Sequence, residues 1–464
     1  AEDSWRVSHQ LTFNYGLRYQ TTWGLFQGSG RSEADNAAYV TLQALQIPIV
    51  PGLPSDYRRQ IAPRLGVAYS PGVGGKTVIR AGFGIYYDDL AQNGWATAFQ
   101  GVNNSNYTTG TCSLTGGPGT YTLTGSGCLT GGSGATGNLV GSSYKTPYAI
   151  HTTGGVQHAF NQHWLMSADY VHEQGNHGYR AFPYSSGTNL FTPLISTADP
   201  DYATDQAAVV PNVNVFESDN RSSYNGLMLH LQGNMRRFNL VANYQLSKAQ
   251  TWGCLLGELF DYVDGVCKQQ PPNPPLLNAF GPGDYGPSGE DVRHRFVLAG
   301  TVHLPGGFEL STVNQVESAR PITITNADNT GRIYVNGAYT SLDEFRGTPY
   351  IQSDLRVTRP FKIKERWQID PFIEFFNLFN RNNPGANFAV NVVQLPVPAA
   401  QMVPNAQGIT NVTSICTNAA CSQTTPITSL KRLEIPEGAL GDFFGPGTTV
   451  GIPFAAQLGV RVTF

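Results

Sequence analysis

The sequence predicts an all-β fold in which antiparallel strands form one transmembrane β-barrel of the outer-membrane type. Three observations predict it. Segments of about ten residues alternate apolar and polar side chains along most of the chain, and a period of two is typical of a strand with one apolar face. Very short and very long connections between these segments alternate strictly. No apolar run approaches the roughly 18 residues that a transmembrane helix needs.

The composition agrees with this fold class and excludes some functions. Charged residues make up 13% of the 464 residues, about half the share of a soluble protein. The formal net charge is −3, whereas a nucleic-acid-binding domain carries a basic excess. We therefore expect no nucleic-acid partner.

Six strand–turn–strand units and one final strand give about thirteen strands in a single domain over residues 1–464. Short turns are expected at about residues 8–10, 71–75, 161–163, 235–237, 305–307 and 364–365. Long loops are expected at about residues 25–58, 89–146, 175–222, 249–291, 319–350 and 380–453. Since every long loop falls at the same end of the strands, the pattern predicts short periplasmic turns and long extracellular loops. The composition of the loops indicates flexible, polar segments.

The two strand faces differ in a way that suits a membrane barrel. The apolar face ends in aromatic residues, as interfacial girdles require: Tyr19, Tyr87, Phe160, Phe238, Phe308 and Phe361. The opposite face carries charges, which would be costly in a dry core but suit a watery or plugged lumen: Arg18, Arg64, Arg80, Asp169, His230, Arg356, Asp370 and Glu374. Asp370 and Glu374 lie about 13 Å apart along one strand. We expect salt bridges to Arg356 or to a plug rather than a catalytic pair.

The final strand is expected to close a barrel through Leu458, Val460, Val462 and Phe464, and to pair with residues 366–378. It follows a long loop and the first strand precedes a short turn, so both run towards the periplasm. Single-chain bacterial barrels have an even strand number. The odd number predicts the C-terminal part of a larger barrel, with further strands before Ala1. Residues 1–5 also lack the features of a signal peptide.

Six cysteines lie in couples, each couple within one expected loop: Cys112 with Cys128, Cys254 with Cys267, and Cys416 with Cys421. Local disulfides in an oxidising compartment are the simplest interpretation, and free thiols are the alternative. None of the couples has zinc-ligand spacing with nearby histidines.

No pattern of residues predicts catalysis, a cofactor or a metal. The sequence lacks a G-x-S-x-G elbow, an H-E-x-x-H motif and a phosphate loop. Gly82 and Gly84 fall in mid-strand, where they relieve crowding or permit bending. His151, His158, His163 and His172 span one hairpin, and ordinary rim or lumen positions are favoured over a metal site. The aromatic loop 103–107 is favoured as a solvated surface over a ligand contact.

Four segments carry a resemblance to a known family. They are residues 5–19, residues 62–66 with 78–87, residues 291–296 and residues 374–383. Together they are similar to the barrel of TonB-dependent receptors of the Oar-like type. The resemblance implies a 22-stranded barrel, of which these strands would be numbers 10 to 22. It also implies a plug, a TonB box and an N-terminal carboxypeptidase-regulatory-like domain, which this sequence does not contain.

The resemblance predicts an outer-membrane receptor that takes up an extracellular ligand whose identity the sequence does not indicate. Its partners would be outer-membrane lipid and a TonB-type energy-coupling protein. A second hypothesis is a structural surface or assembly subunit whose sheet is completed by partner chains. A third hypothesis is an enzyme. No residues in the sequence support it, so we expect no enzymatic activity.

Overall fold

One large antiparallel sheet dominates the protein. The computed structural model describes residues 1–21, 37–46, 56–72, 74–88, 110–129, 136–140, 145–184, 194–195, 198, 200–209, 211–252, 285–289, 291–322, 334–335, 338–339, 345–346, 349–363, 367–381, 383, 397–401, 411–418, 420–428 and 453–464. The main sheet has sixteen strands within these residues. Three are short additions: Thr136–Val140, Tyr285–Pro287 and Phe361–Ile363.

The other thirteen strands follow one another through the sheet in chain order. The first seven are β1 Glu2–Arg6, β2 Leu11–Gln20, β3 Gln60–Tyr69, β4 Thr77–Tyr87, β5 Tyr148–Ala159, β6 Trp164–Tyr184 and β7 Asn212–Met235. The last six are β8 Phe238–Trp252, β9 His294–His303, β10 Glu309–Glu317, β11 Tyr350–Thr358, β12 Trp367–Phe376 and β13 Ala455–Thr463. The predicted all-β antiparallel fold and its thirteen strands are confirmed.

Smaller elements lie outside the main sheet. Two α-helices, α1 Ala37–Ala44 and α2 Tyr202–Val209, and the short 3-10 turns Pro305–Gly307 and Ala399–Gln401 are described. Short paired strands are Ser113–Thr115 with Thr122–Thr124, Pro321–Ile322 with Phe345–Arg346, Ser414–Cys416 with Thr424–Pro426, and Tyr334–Val335 with Ala338–Tyr339 and Asn411–Val412. Among the described residues, no helix has the length and apolar character needed to span a membrane.

Strand register places apolar side chains mainly on one side of the sheet and charged side chains on the other. On one face, Tyr15 lies opposite Leu65, and Leu65 lies opposite Phe83. On the other face, Gly16 lies opposite Arg64, and Arg64 lies opposite Gly84. Because the side-chain period of a strand is two, each register fixes the face of every residue in its strand. We call these the apolar face and the polar face.

The apolar face has aromatic bands at both ends. At the short-turn end, the rings of Trp164 and Phe238 lie 6.2 Å apart and those of Trp367 and Phe464 lie 5.4 Å apart. At the long-loop end, the centroids of Tyr87 and Tyr148 are 5.3 Å apart. Paired rings at two heights are the arrangement expected of interfacial girdles.

The sheet is open in the described part of the chain, where β1 pairs with β2 and β13 pairs with β12. The predicted partner of the final strand is therefore confirmed, with Val460 opposite Pro371 and Val462 opposite Ile369. The closing role of this strand stays a prediction. The domain bounds are likewise untested, and the sixth short turn, predicted at residues 364–365, lies outside the described residues.

The predicted loop at 175–222 is wrong at both ends. β6 continues to Tyr184 and β7 begins at Asn212, so these strands have 21 and 24 residues. A tilted strand needs only about 9–11 residues to cross a bilayer. These two strands therefore extend well beyond the rest of the sheet. The sequence prediction ended them at the loss of alternation, although backbone pairing continues.

Part of the long loops packs around a hydrophobic core, contrary to the flexible, polar character that their composition suggested. The core contains Ala38, Leu42, Leu45, Ile195, Val209 and Val213, with Leu114, Tyr121, Leu123 and Leu129 packed against it. These residues come from three different loops and from the N-terminal end of β7. We call α1, α2 and residues 110–129 together the loop cap. Apolar burial, rather than chain connectivity, holds its three loops to each other.

Polar contacts and a disulfide fix the cap further. The amide of Leu129 donates to Thr41 Oγ1 at 2.7 Å, and the amide of Gly119 donates to Asp205 Oδ2 at 2.7 Å. Cys112 and Cys128 form a disulfide, and so do Cys416 and Cys421. Cys254 and Cys267 lie outside the described residues.

Replacing both Cys112 and Cys128 by Ser is expected to cost about 2 kcal/mol of local stability, since the disulfide closes a loop of moderate length. Limited proteolysis should then cleave within residues 110–129 at least about tenfold faster. The matched control is the double Ser variant of Cys416 and Cys421, which are separated by 5 residues rather than 16. Cleavage at unchanged rate in the first variant would show that packing alone holds the cap.

Candidate functional site

The polar face is the candidate functional surface, because it carries the charged residues that the sequence places opposite the apolar face. Register puts all eight predicted residues on this one face. Arg64 Nη1 lies 2.8 Å from Glu2 Oε1, and Arg80 Nη2 lies 3.2 Å from Asp169 Oδ1. Each pair joins different strands and is partly exposed, so its contribution to stability is small.

One row of side chains crosses the polar face from β1 to β6. The Arg64 guanidinium lies 4.8 Å from the centroid of the Tyr86 ring, and that ring lies 4.8 Å from the ring of His151. His151 Nε2 is 3.0 Å from Glu173 Oε2. Glu2, Arg64, Tyr86 and His151 also line a cavity of about 690 Å³. The row offers a carboxylate, a guanidinium, a phenol ring and an imidazole to that cavity.

Glycine lets this row lie flat against the sheet. A Cβ at Gly84 would come within 2.7 Å of Cε2 of Tyr86, so the ring occupies the space that a side chain would take. This arrangement, in which an aromatic ring covers a strand glycine, stabilises the strand and thins the wall. The mid-strand role proposed for Gly82 and Gly84 from the sequence is consistent with this geometry.

At the other end of the sheet the predicted contacts of Arg356 differ from those in the structure. Its guanidinium lies 3.7 Å from the centroid of the Phe372 ring. Glu374 lies opposite Arg356 in register but accepts a hydrogen bond from Gln457 Nε2 at 2.8 Å. Asp370 lies opposite Arg461 and accepts bonds from Gln368. A cation–π contact therefore stands where an ion pair was expected.

The four histidines of one hairpin do not converge. His151 lies on the polar face, whereas His158 and His172 lie on the apolar face and His163 lies in the short turn. His158 Nδ1 contacts Thr77 Oγ1 at 2.8 Å, and His172 Nδ1 contacts Asn225 Oδ1 at 2.8 Å. Rim or lumen positions were expected for these histidines: His151 on the polar face and His163 in the short turn fit this expectation, whereas His158 and His172 lie on the apolar face. Residues 103–107 lie outside the described residues.

A buried ionic cluster that the sequence did not predict lies at the long-loop end. The Asp291 carboxylate is fully buried; its Oδ2 lies 2.7 Å from Arg346 and 3.1 Å from Arg293. Its Oδ1 accepts the amide of Ala249 at 2.8 Å. Arg346 Nη1 also donates to the carbonyl of Asp291 at 2.9 Å. We call Asp291, Arg293 and Arg346 the rim cluster; it ties β8, β9 and a long loop together.

At the long-loop end, asparagine side chains form hydrogen bonds that connect the ends of the last strands. Asn377 is buried with φ 45°, and its side chain accepts the amide of Arg381 at 2.9 Å and donates to the Arg381 carbonyl at 2.8 Å. Asn380 Oδ1 accepts the amide of Phe454 at 2.9 Å. Asn383 bonds both backbone groups of Ile351. Residues 377–381 after the end of β12 thus form a turn, and the Asn380 side chain holds Phe454 at the entry of β13.

Replacing Asn377 by Ala is expected to destabilise the protein by about 2 kcal/mol, because it removes two side-chain hydrogen bonds and because Ala tolerates the left-handed region less well than Asn does. Denaturant unfolding in lipid bilayers measures this loss. Asn377→Gly is the matched control, since Gly tolerates positive φ but also lacks the side-chain bonds. Equal stability of the wild type and both variants would contradict the role of this turn.

The fold and its two faces define a class of protein. A large antiparallel sheet has an apolar face banded by aromatic rings, a charged polar face, and long loops at one end only, which is the construction of an outer-membrane β-barrel. Residues 1–343 match the family model described as outer membrane beta barrel domain. The chain belongs to this family, and the protein is located in the bacterial outer membrane. No curated protein matches the chain.

Solved structures of outer-membrane transporters and receptors are similar to this chain at low identity. The outer membrane transporter YddB from Escherichia coli is 12% identical with a TM-score of 0.44, over 86% of this chain and 44% of its own. The ferripyoverdine receptor of Pseudomonas aeruginosa is 11% identical with a TM-score of 0.42, over 84% and 35%. The FrpB iron transporter from Neisseria meningitidis is 10% identical with a TM-score of 0.42, over 82% and 50%. The matched region is thus half or less of each of these chains.

Proposed function

We propose that this chain is the barrel portion of a TonB-dependent outer-membrane receptor of the Oar-like type. Its long-loop end faces outside and captures a ligand, and its polar face lines the lumen. A plug elsewhere in the parent protein gates passage and couples it to a TonB-type protein. The four sequence segments that resemble this receptor type support the finer assignment.

The observation that carries the proposal is the charged polar face. Ion pairs such as Arg64 with Glu2 and Arg80 with Asp169 lie on it and remain partly exposed. A protein that only decorates the surface has no need of a hydrated inner wall, whereas a channel or a plugged lumen does. Because Arg64 and Arg80 are each paired with a carboxylate on this face, these positions can face a polar plug without requiring a large net charge.

The test is ion conductance of the full-length protein purified from its native outer membrane and placed in a planar lipid bilayer. A gated receptor is expected to conduct weakly until urea unfolds its plug, and to return to weak conductance when urea is removed. The intact mass of the same sample shows whether the protein is longer than residues 1–464.

The alternative is a structural or assembly subunit, and the two unpaired sheet edges, β1 and β13, favour it within the described residues. That alternative predicts no conductance before or after urea, with the mass of residues 1–464 alone. A large conductance that urea does not change would indicate an ungated pore. Either of these two results would overturn the proposal.

A further inference from the structure

The region between the loop cap and the sheet is called the neck. It consists of residues 57–60, 145–148, 176–178 and 218–221, which come from the beginnings of β3 and β5 and from the middle of β6 and β7. Their backbones are tied by side chains. The amide of Lys145 donates to Ser218 Oγ at 2.8 Å, and Gln60 Nε2 donates to Thr146 Oγ1 at 2.8 Å.

His177 is the irregular residue of this neck. Asn176 pairs with Arg221 and Gly178 pairs with Asn220, so His177 is an extra residue in β6. Its φ is 59°, the left-handed value that Gly usually supplies in a β-bulge. A β-bulge with a side chain at this position costs backbone energy and re-aims the side chain. The bulge marks the height at which the long strands leave the sheet and enter the cap.

The imidazole is packed inside the neck. Its ring lies edge-on to Tyr148 at 5.1 Å and to Tyr57 at 6.3 Å between centroids. Nδ1 lies 3.4 Å from the carbonyl oxygen of Thr146, which only accepts hydrogen bonds. Nδ1 therefore carries a proton, and the neutral ring has its lone pair on Nε2.

The surroundings disfavour a second proton. Burial is the largest cause that lowers the pKa of His177, and the cations Lys145 and Arg221 lower it further, while the Thr146 carbonyl raises it. The groups that face the ring are Tyr57 before β3, Lys145 and Tyr148 around the start of β5, and Arg221 of β7. None of these facing groups is a carboxylate.

We propose that His177 is a proton-sensitive latch that fastens the loop cap to the barrel. The neutral imidazole fills the bulge between two tyrosine rings and bonds Thr146. The imidazolium would meet the cations Lys145 and Arg221 in a half-buried site, so protonation releases the neck and frees the cap to move relative to the sheet. Mildly acidic surroundings outside the cell would thereby open the extracellular side. This inference does not depend on TonB coupling or on the identity of any ligand.

The sign of the pH effect follows from the lowered pKa of His177. The unfolded or released state binds the proton more readily, so the latch is at full strength above about pH 6.5 and weakens as the pH falls below it. One pH unit below that value, the released population increases by up to about tenfold.

Amide hydrogen exchange of the full chain in lipid nanodiscs tests the latch at about pH 7.5 and about pH 5.5, with correction for the intrinsic pH dependence of exchange. In the wild type, protection of the neck peptides should fall by up to about tenfold at the lower pH. Peptides of β9 serve as the internal reference and should not change.

Three variants decide the result. His177→Asn tolerates the left-handed backbone and stays neutral, so its neck should show equal protection at both pH values. His177→Arg carries a permanent charge and should show the released neck at both. His163→Asn, in the short turn at the opposite end, should behave as the wild type. A pH response that persists in His177→Asn, or no response in the wild type, would overturn the proposal; neither result requires the Arg variant to fold.

Discussion

Asp291→Asn is expected to reduce the free energy of unfolding by about 3 kcal/mol, the lower end of the range for a broken buried ion pair. The carboxylate is fully buried and accepts from Arg346, Arg293 and the Ala249 amide. Asn keeps the shape but leaves two guanidinium groups without a counter-ion. Both arginines retain partial contact with water, which is why the lower end applies. Denaturant unfolding in lipid bilayers, followed by tryptophan fluorescence, measures the loss.

The matched control is Asp169→Asn. Asp169 pairs with Arg80 at 3.2 Å, and their side chains are 33% and 47% exposed. Such an exposed pair contributes less than about 1 kcal/mol, and salt weakens it. If the two Asn variants lose the same stability, burial of the rim cluster is not what makes it strong.

Leu229→Arg is expected to destabilise the folded protein by about 2–4 kcal/mol, the cost of a charge on the lipid face near the bilayer midplane. Leu229 lies between Ala168 and Tyr244 on the apolar face. It is six residues from the end of β7 at Met235, or about 15 Å along the normal for a strand tilted by about 40°. Folding yield in liposomes and the denaturant midpoint both measure the effect.

Met228→Arg is the control because the adjacent residue points to the opposite face. Met228 lies opposite Asp169 and Gln245, so a cation there faces a carboxylate and water. Its effect should stay within about 1 kcal/mol. A larger loss at position 228 than at position 229 would invert the assignment of the two faces.

The number, order and pairing of the strands could be read from the chain because each depends on local pattern. Alternation at Leu458, Val460 and Val462 fixes both the strand and its apolar face, since a one-residue slip would turn all of them over. The alternation within each strand likewise predicts that Arg64, Asp169 and Glu374 lie on the polar face, without any knowledge of strand pairing. The outer-membrane type of barrel was predicted because all long loops lie at one end of the strands and all short turns at the other. A soluble sheet does not need this arrangement.

The rim cluster and the neck were not predictable in this way. Asp291, Arg293 and Arg346 are separated by up to 55 residues, and no local period links them. The segment 291–296 carries a family resemblance, but an acidic residue at its start is equally typical of a solvated loop. His177 gives no signal in the sequence, because its left-handed φ arises from a mismatch in length between two strands far apart in the chain.

The sequence by itself determined the strands, their two faces and the end at which the long loops lie. These depend on a period of two and on turn composition, which are local properties. Only the tertiary structure decided that β6 and β7 extend past the sheet and that three loops share one hydrophobic core. It also decided that a buried carboxylate and a bulged histidine hold the outer end. Those features come from contacts between distant segments, and their energy depends on burial, which no single segment specifies.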